Sequence, residues 1–120
     1  CVSCPLLEPP HQQKEFDMTQ HVAETVTFTL NEGVTPEQFV QLSKASEGFV
    51  RANPGFVFRR LSCGSDGSWT DTVIWKDMQT ALEVADSFGK QDFAPALMAA
   101  IAPDSVTIRH ETILWTLMPN

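Results

Sequence analysis

The 120-residue chain has no tyrosine, only eight lysines and arginines, and three cysteines. Against fifteen acidic residues, the shortage of cations leaves a formal net charge of -7, which repels nucleic-acid phosphates and anionic lipid headgroups. Neither nucleic acid nor a membrane surface is therefore an expected partner. Long apolar runs are also missing: none approaches the roughly 18 residues that span a bilayer. The N-terminus lacks the basic-then-apolar plan of a secretion signal, so the expectation is a soluble, cytoplasmic protein. Three cysteines are too few, and odd in number, for a disulfide framework. Cys1 and Cys4 make a single CxxC with no second pair and no histidine pair at ligand spacing, so no metal site is expected. A tail site built from Cys1, Cys4 and His11 is the one metal reading left open.

Residues 1–19 hold Pro5, Pro9 and Pro10 without any sustained period and read as a flexible tail. Patterning begins just after Met18, which suggests a natural start there. Residues 20–117 then read as one domain. Val22 to Leu30 alternates as a half-buried strand, with Val22, Glu24, Val26, Phe28 and Leu30 on one face. Val34-Thr35-Pro36-Glu37-Gln38-Phe39 is a full helix start: Thr35 as N-cap, Pro36 at N1, Gln38 closing a capping box, and Val34 stapled to Phe39. Apolar spacing carries this helix to Asn53-Pro54-Gly55. Phe56–Ser62 and Trp69–Trp75 form a hairpin around Asp66-Gly67. Asp77 caps a second helix that bends near Gly89 to Pro95, and Val106 to Trp115 is the last strand.

The order β-α-β-β-α-β, with right-handed crossovers, predicts an α+β fold of the ferredoxin-like kind: a four-stranded antiparallel sheet with the helices on one face. The other face is left for water or a partner. On the last strand it holds Thr107, Arg109, Glu111, Ile113 and Trp115, a mixture suited to an interface with a polar rim, and Trp69 and Trp75, of like parity on the third strand, are expected either to join that face or to cap its ends. A homodimer is the expected assembly.

The stretches Leu30 to Gln38, Asn53-Pro54-Gly55-Phe56, and Val73-Ile74-Trp75-Lys76-Asp77 resemble the dimeric α-β barrel superfamily, within it the antibiotic-biosynthesis-monooxygenase-like and stress-responsive barrel groups. The resemblance spans about residues 20 to 116 and implies a dimeric barrel. It implies either a cofactor-independent monooxygenase-like or isomerase-like enzyme, or a non-catalytic stress-related or ligand-binding homodimer. Monooxygenase-like and haem-degrading relatives often carry a histidine in the helix after the third strand. Residues 78–101 contain none, which argues against haem, and no cofactor is expected.

A ligand site in this architecture lies between sheet and helices. Three polar residues fall on the helix-facing parity: Glu24, His110 and Arg60. The first and last strands are expected to be neighbours, in a register that sets Glu24 beside His110. A carboxylate there orients the imidazole and fixes its tautomer, making His110 a candidate general base and Glu24 its partner. Arg60 is the candidate to hold an anionic substrate or an enolate oxygen, with Phe39 and Phe88 as apolar contacts for a small aromatic ligand. The competing reading is a buried polar cluster with a structural role alone.

Overall fold

The computed structural model describes residues 21–119. The tail reading and the Cys1, Cys4 and His11 reading lie outside the described residues. The elements are β1 (Val22–Phe28), α1 (Pro36–Lys44), α2 (Glu47–Arg51), β2 (Phe56–Cys63), β3 (Trp69–Trp75), α3 (Met78–Phe88), α4 (Ala94–Ala99), a 3-10 turn (Pro103–Ser105) and β4 (Thr107–Thr112). The strands form one antiparallel sheet in the order β2-β3-β1-β4. This is the ferredoxin-like arrangement that the sequence predicts. No helix of the described residues is long and apolar enough to cross a membrane.

The local signals act as written. Gln38 N–H donates to Thr35 Oγ1 at 3.1 Å, and Thr35 N–H donates to Gln38 Oε1 at 2.9 Å, closing the capping box. Thr80 N–H donates to Asp77 Oδ1 at 2.8 Å at the start of α3, and Asp77 is held below its ordinary aspartate value chiefly by that bond. At Gly67 the backbone has φ of 87°, a left-handed conformation that turns the β2–β3 hairpin and that a side chain would strain.

Two elements are shorter than their periodicity suggests. The first helix breaks into α1 and α2 at Ala45–Ser46. Ser46 is wholly buried, and both its N–H, at 3.0 Å, and its Oγ–H, at 2.6 Å, donate to the Ser43 carbonyl, which tightens the chain into a turn. The last strand stops at Thr112 because its neighbour β1 begins at Val22, the residue opposite it. Ile113 N–H still reaches the His21 carbonyl at 2.9 Å, and beyond it Leu114, Trp115, Leu117 and Met118 are exposed.

Trp69 and Trp75 are corrected from the open face to the core. The antiparallel register sets Phe28 opposite Trp69 and Val22 opposite Trp75, so the two indoles share the helix-facing side with those buried residues, and Trp75 is only 1% exposed. Two apolar clusters result. One joins Val22, Val50, Val73, Trp75, Ala81 and Val84; the other joins Phe28, Phe39, Trp69, Leu97 and Ala100. In the second, Phe39 meets Trp69 edge-on at 5.1 Å and Phe28 in a tilted arrangement at 5.3 Å, and such aromatic pairs contribute about 0.5–1.5 kcal/mol each beyond burial.

Arg60 is the other correction. Phe56 pairs with Trp75 but Phe58 pairs with Ile74, so Val57 is an extra residue in β2, a bulge. Side chains alternate with a period of two, and one inserted residue therefore exchanges the faces of everything after it. Arg59 and Leu61 turn toward the helices. Arg60, opposite Thr72, goes to the open face and is exposed.

Candidate functional site

A cavity of about 240 Å³ lies between sheet and helices, bounded by members of both apolar clusters, close to the lower end of the size range of small-molecule sites. Phe28, Phe39, Val73, Trp75, Val84 and Phe88 form much of its wall, and Met98, Val106 and Ile108, each more than 40% exposed, stand where it meets the surface. Its polar lining is confined to Glu24, Ser43, Arg59 and Asp71, with the Trp75 indole N–H turned onto Glu24.

Glu24 is 9% exposed, carried inward by β1 between Val22 and Val26. Trp75 Nε1–H donates to its Oε1 at 3.0 Å. The indole reaches it diagonally, since the residue directly opposite Glu24 on β3 is Val73 and Trp75 lies two positions on. On the other flank, β4 places His110 directly opposite Glu24, as the sequence predicts. His110 Nε2 stands 3.3 Å from Glu24 Oε2, yet it is not aligned for a hydrogen bond and has no such partner among the described residues. The two groups are thus in contact distance without being locked together. Glu24 faces the cavity, whereas His110 sits behind it and does not line the wall.

The second polar group is one that sequence reasoning missed. Arg59 Nε and Nη2 donate to Asp71 Oδ1 and Oδ2 at 3.1 and 2.7 Å, and Nη1 donates to Ser46 Oγ at 2.8 Å. Both side chains of the ion pair are less than one-fifth exposed. The fork therefore ties β2, β3 and the α1–α2 turn together at the cavity wall. Asp71 was the available signal: it shares the parity of Val73 and Trp75, and an acid on a buried strand face calls for a cation opposite.

Glu24, Phe39 and Phe88 are thus brought together around one cavity, with His110 adjoining and Arg60 outside. The described residues contain no group of three or more histidine, cysteine or acidic side chains placed to hold a metal ion. Cys63 is exposed at the hairpin and makes no contact with the cavity.

Fold and cavity define a class: a ferredoxin-like α+β protein with an apolar, ligand-sized space under its sheet and a buried carboxylate in the wall. The same fold recurs among antibiotic-biosynthesis-monooxygenase-like proteins. SnoaB, a cofactor-independent oxygenase from Streptomyces nogalater, superposes with a TM-score of 0.68 at 23% identity, over 82% of this chain and 97% of that one. A monooxygenase from the ActVA-Orf6 gene of Streptomyces coelicolor, solved with Nanaomycin D, gives 0.63 at 16% identity, over 88% and 97%. A protein of unknown function from Nitrosomonas europaea gives 0.62 at 13% identity, over 86% and 98%. At these identities the likeness is one of fold. No family model and no curated protein matches the chain.

Proposed function

We propose that this chain binds a small aromatic ligand in the cavity beside Glu24 and draws a proton from it, as a monooxygenase-like or isomerase-like enzyme acting as a homodimer. The observation that carries this is the buried carboxylate in an otherwise mostly apolar cavity, backed by an imidazole 3.3 Å away. Glu24 is the acidic side chain that stands in the cavity wall within reach of a ligand carbon, the placement a general base needs. Glu24 is the group that meets the ligand, and His110, behind it, takes up or returns the proton. This exchanges the roles expected of the two, because Glu24 and not His110 lines the cavity.

The step leaves an electron pair on the ligand as an enolate. In an isomerase-type reaction the proton returns to a different carbon. In an oxygenase-type reaction dioxygen is the oxidant: a methylene becomes a carbonyl, and the second oxygen atom leaves as water with the two methylene hydrogens. Arg59, in the place expected of Arg60, supplies N–H donors for ligand oxygen. The family likeness and the uncovered sheet face, where Phe58 is 48% exposed, support pairing through that face.

The test is exchange of the C1 hydrogens of 2-tetralone with deuterated water, followed by NMR, which reads proton abstraction without dioxygen. The wild-type chain accelerates exchange over buffer, and Glu24→Gln loses the acceleration with its fold intact. Exchange at the buffer rate in both overturns catalysis. One observation favours a second reading: the unaligned His110 fits a non-catalytic binding protein, in which aromatic ligands bind and no exchange follows.

A further inference from the structure

The open face of the sheet has a pattern of its own. The strand registers align its side chains in rows that cross all four strands. The middle row runs Arg60, Thr72, Thr25, Arg109 from β2 to β4. On one side of it lies a row of hydroxyls alone: Ser62, Thr70, Thr27 and Thr107. On the other side Phe58, Ile74 and Ala23 are apolar, and Glu111 ends the row. Threonine is common on strands, so the hydroxyls by themselves point to no ligand. What points to one is the charge.

Of the chain's four arginines, Arg51 is taken by Glu47 at 2.9 Å and Arg59 by Asp71 at 2.7 Å. The other two, Arg60 and Arg109, stand at the ends of the middle row. Arg60 makes no ion pair among the described residues, and Arg109 only approaches Glu111 at 4.0 Å. None of the six hydroxyls around them is bonded to another side chain among the described residues. Glu111 is the single acid of the three rows. On a chain of net charge -7, two arginines against one glutamate give this face an excess of one positive charge.

Pairing of two copies through this face doubles that excess and encloses it. Sheets packed face to face lie about 10 Å apart, and a two-fold axis through the centre of the face lays one middle row against the other. Arginine is then set against arginine at both ends of the row. Like charges so placed oppose association, and charges taken out of water need a counterion. We propose that the paired sheets enclose an anion site on the two-fold axis, which takes one dianion of the phosphate class, bound by Arg60 and Arg109 of both copies and by the threonine hydroxyls between them. The inference rests on the reading that the chain pairs through its open face, and the site is incomplete without the second copy. The ends of the row lie about 14 Å apart, three strand spacings, so the long side chains laid inward over Thr72 and Thr25 meet at the axis. Guanidinium forks and hydroxyls are the donors that suit phosphate oxygens, and two negative charges balance the enclosed pair. The site is separate from the cavity beside Glu24, which lies on the helix side of the sheet.

Sedimentation velocity and calorimetric titration of the full chain test this, with inorganic phosphate and glycerol 3-phosphate as probes in a buffer free of other oxyanions. The expected result is one phosphate group bound per pair of chains. At dilutions where the pair dissociates, phosphate is expected to restore it, since an ion held only by the dimer favours the dimer. The tighter of the two probes tells a free phosphate from an organic one. Arg60→Met, an exposed change, is expected to weaken phosphate binding at least tenfold and to leave a dimer that no longer responds to phosphate. A dimer that binds neither probe, that binds one ion per chain, or that binds equally well after Arg60→Met overturns the anion site and leaves the pairing standing. A chain that stays monomeric at every concentration, with and without phosphate, overturns the pairing and this inference with it.

Discussion

Replacing Trp75 by Phe removes one hydrogen bond and little else, which makes it the sharpest probe of the buried carboxylate. The ring stays in a pocket where Phe56 meets it edge-on at 5.9 Å, but the Nε1–H that reaches Glu24 Oε1 at 3.0 Å is gone. A hydrogen bond to a charged group contributes about 1.5–3 kcal/mol, and the smaller ring loses roughly a further 1 kcal/mol of packing. Glu24→Leu removes the acceptor instead and fills the space with an apolar side chain. In that background Trp75→Phe should cost only the packing share, since replacing both partners by apolar groups of similar shape is nearly neutral. The predicted coupling between the two sites is therefore about 1.5–3 kcal/mol, or roughly 6–12 °C in melting temperature for a domain of this size. Urea unfolding of wild type, both single variants and the double variant, followed by circular dichroism at one protein concentration, measures it. A coupling below about 0.5 kcal/mol would refute the view that the indole holds the carboxylate in the cavity wall.

Other predictions follow from the same contacts. Arg59→Met strands Asp71 in a site less than one-fifth exposed and should destabilise by about 2–4 kcal/mol, with recovery in the Arg59→Met, Asp71→Leu double variant; Arg60→Met, on the open face, should cost under about 0.5 kcal/mol in the monomer at high dilution. Thr35→Ala opens the capping box of α1 and should cost about 1 kcal/mol in the urea midpoint. Asp77 is held below its ordinary value chiefly by the Thr80 N–H. Its ionised cap therefore contributes fully above the ordinary aspartate range, and the contribution fades as pH falls through the lowered folded value. Asp77→Asn, neutral throughout, should lack that component of acid destabilisation, so the gap in urea midpoint between variant and wild type should shift in the variant's favour as the pH is taken below about 4. A gap that stays constant to pH 2 would contradict the assignment.

The fold was largely legible because its instructions are local. Thr35 to Gln38 and Asp77 to Thr80 specify where helices start whatever lies around them, and alternation from Val22 to Phe28 fixes which side of β1 is buried. The pairing of Glu24 with His110 was legible too, since two antiparallel neighbours with one ionisable residue each on the buried parity admit few registers. Arg59 was not. Parity counted from Phe56 assigns the helix face to Arg60, and nothing in Phe56-Val57-Phe58 marks Val57 as the residue at which two oppose one. A bulge is set by the pairing of β2 with β3, a non-local quantity that a single strand's composition does not carry. The break at Ser46 is similar: its hydroxyl serves both the Ser43 carbonyl and Arg59, and the second of these contacts exists only once the bulge has turned Arg59 inward.

The central claim is that an aromatic ligand enters the cavity beside Glu24, and the Trp75 indole N–H is a reporter already placed there. Titration of the ¹⁵N-labelled chain with 1-naphthol should shift the Trp75 Nε1–H resonance saturably, together with methyl signals of Val73 and Val84 that line the same space. A titration that leaves these resonances in place, or moves only those of the exposed Leu114 to Met118 segment, would contradict it.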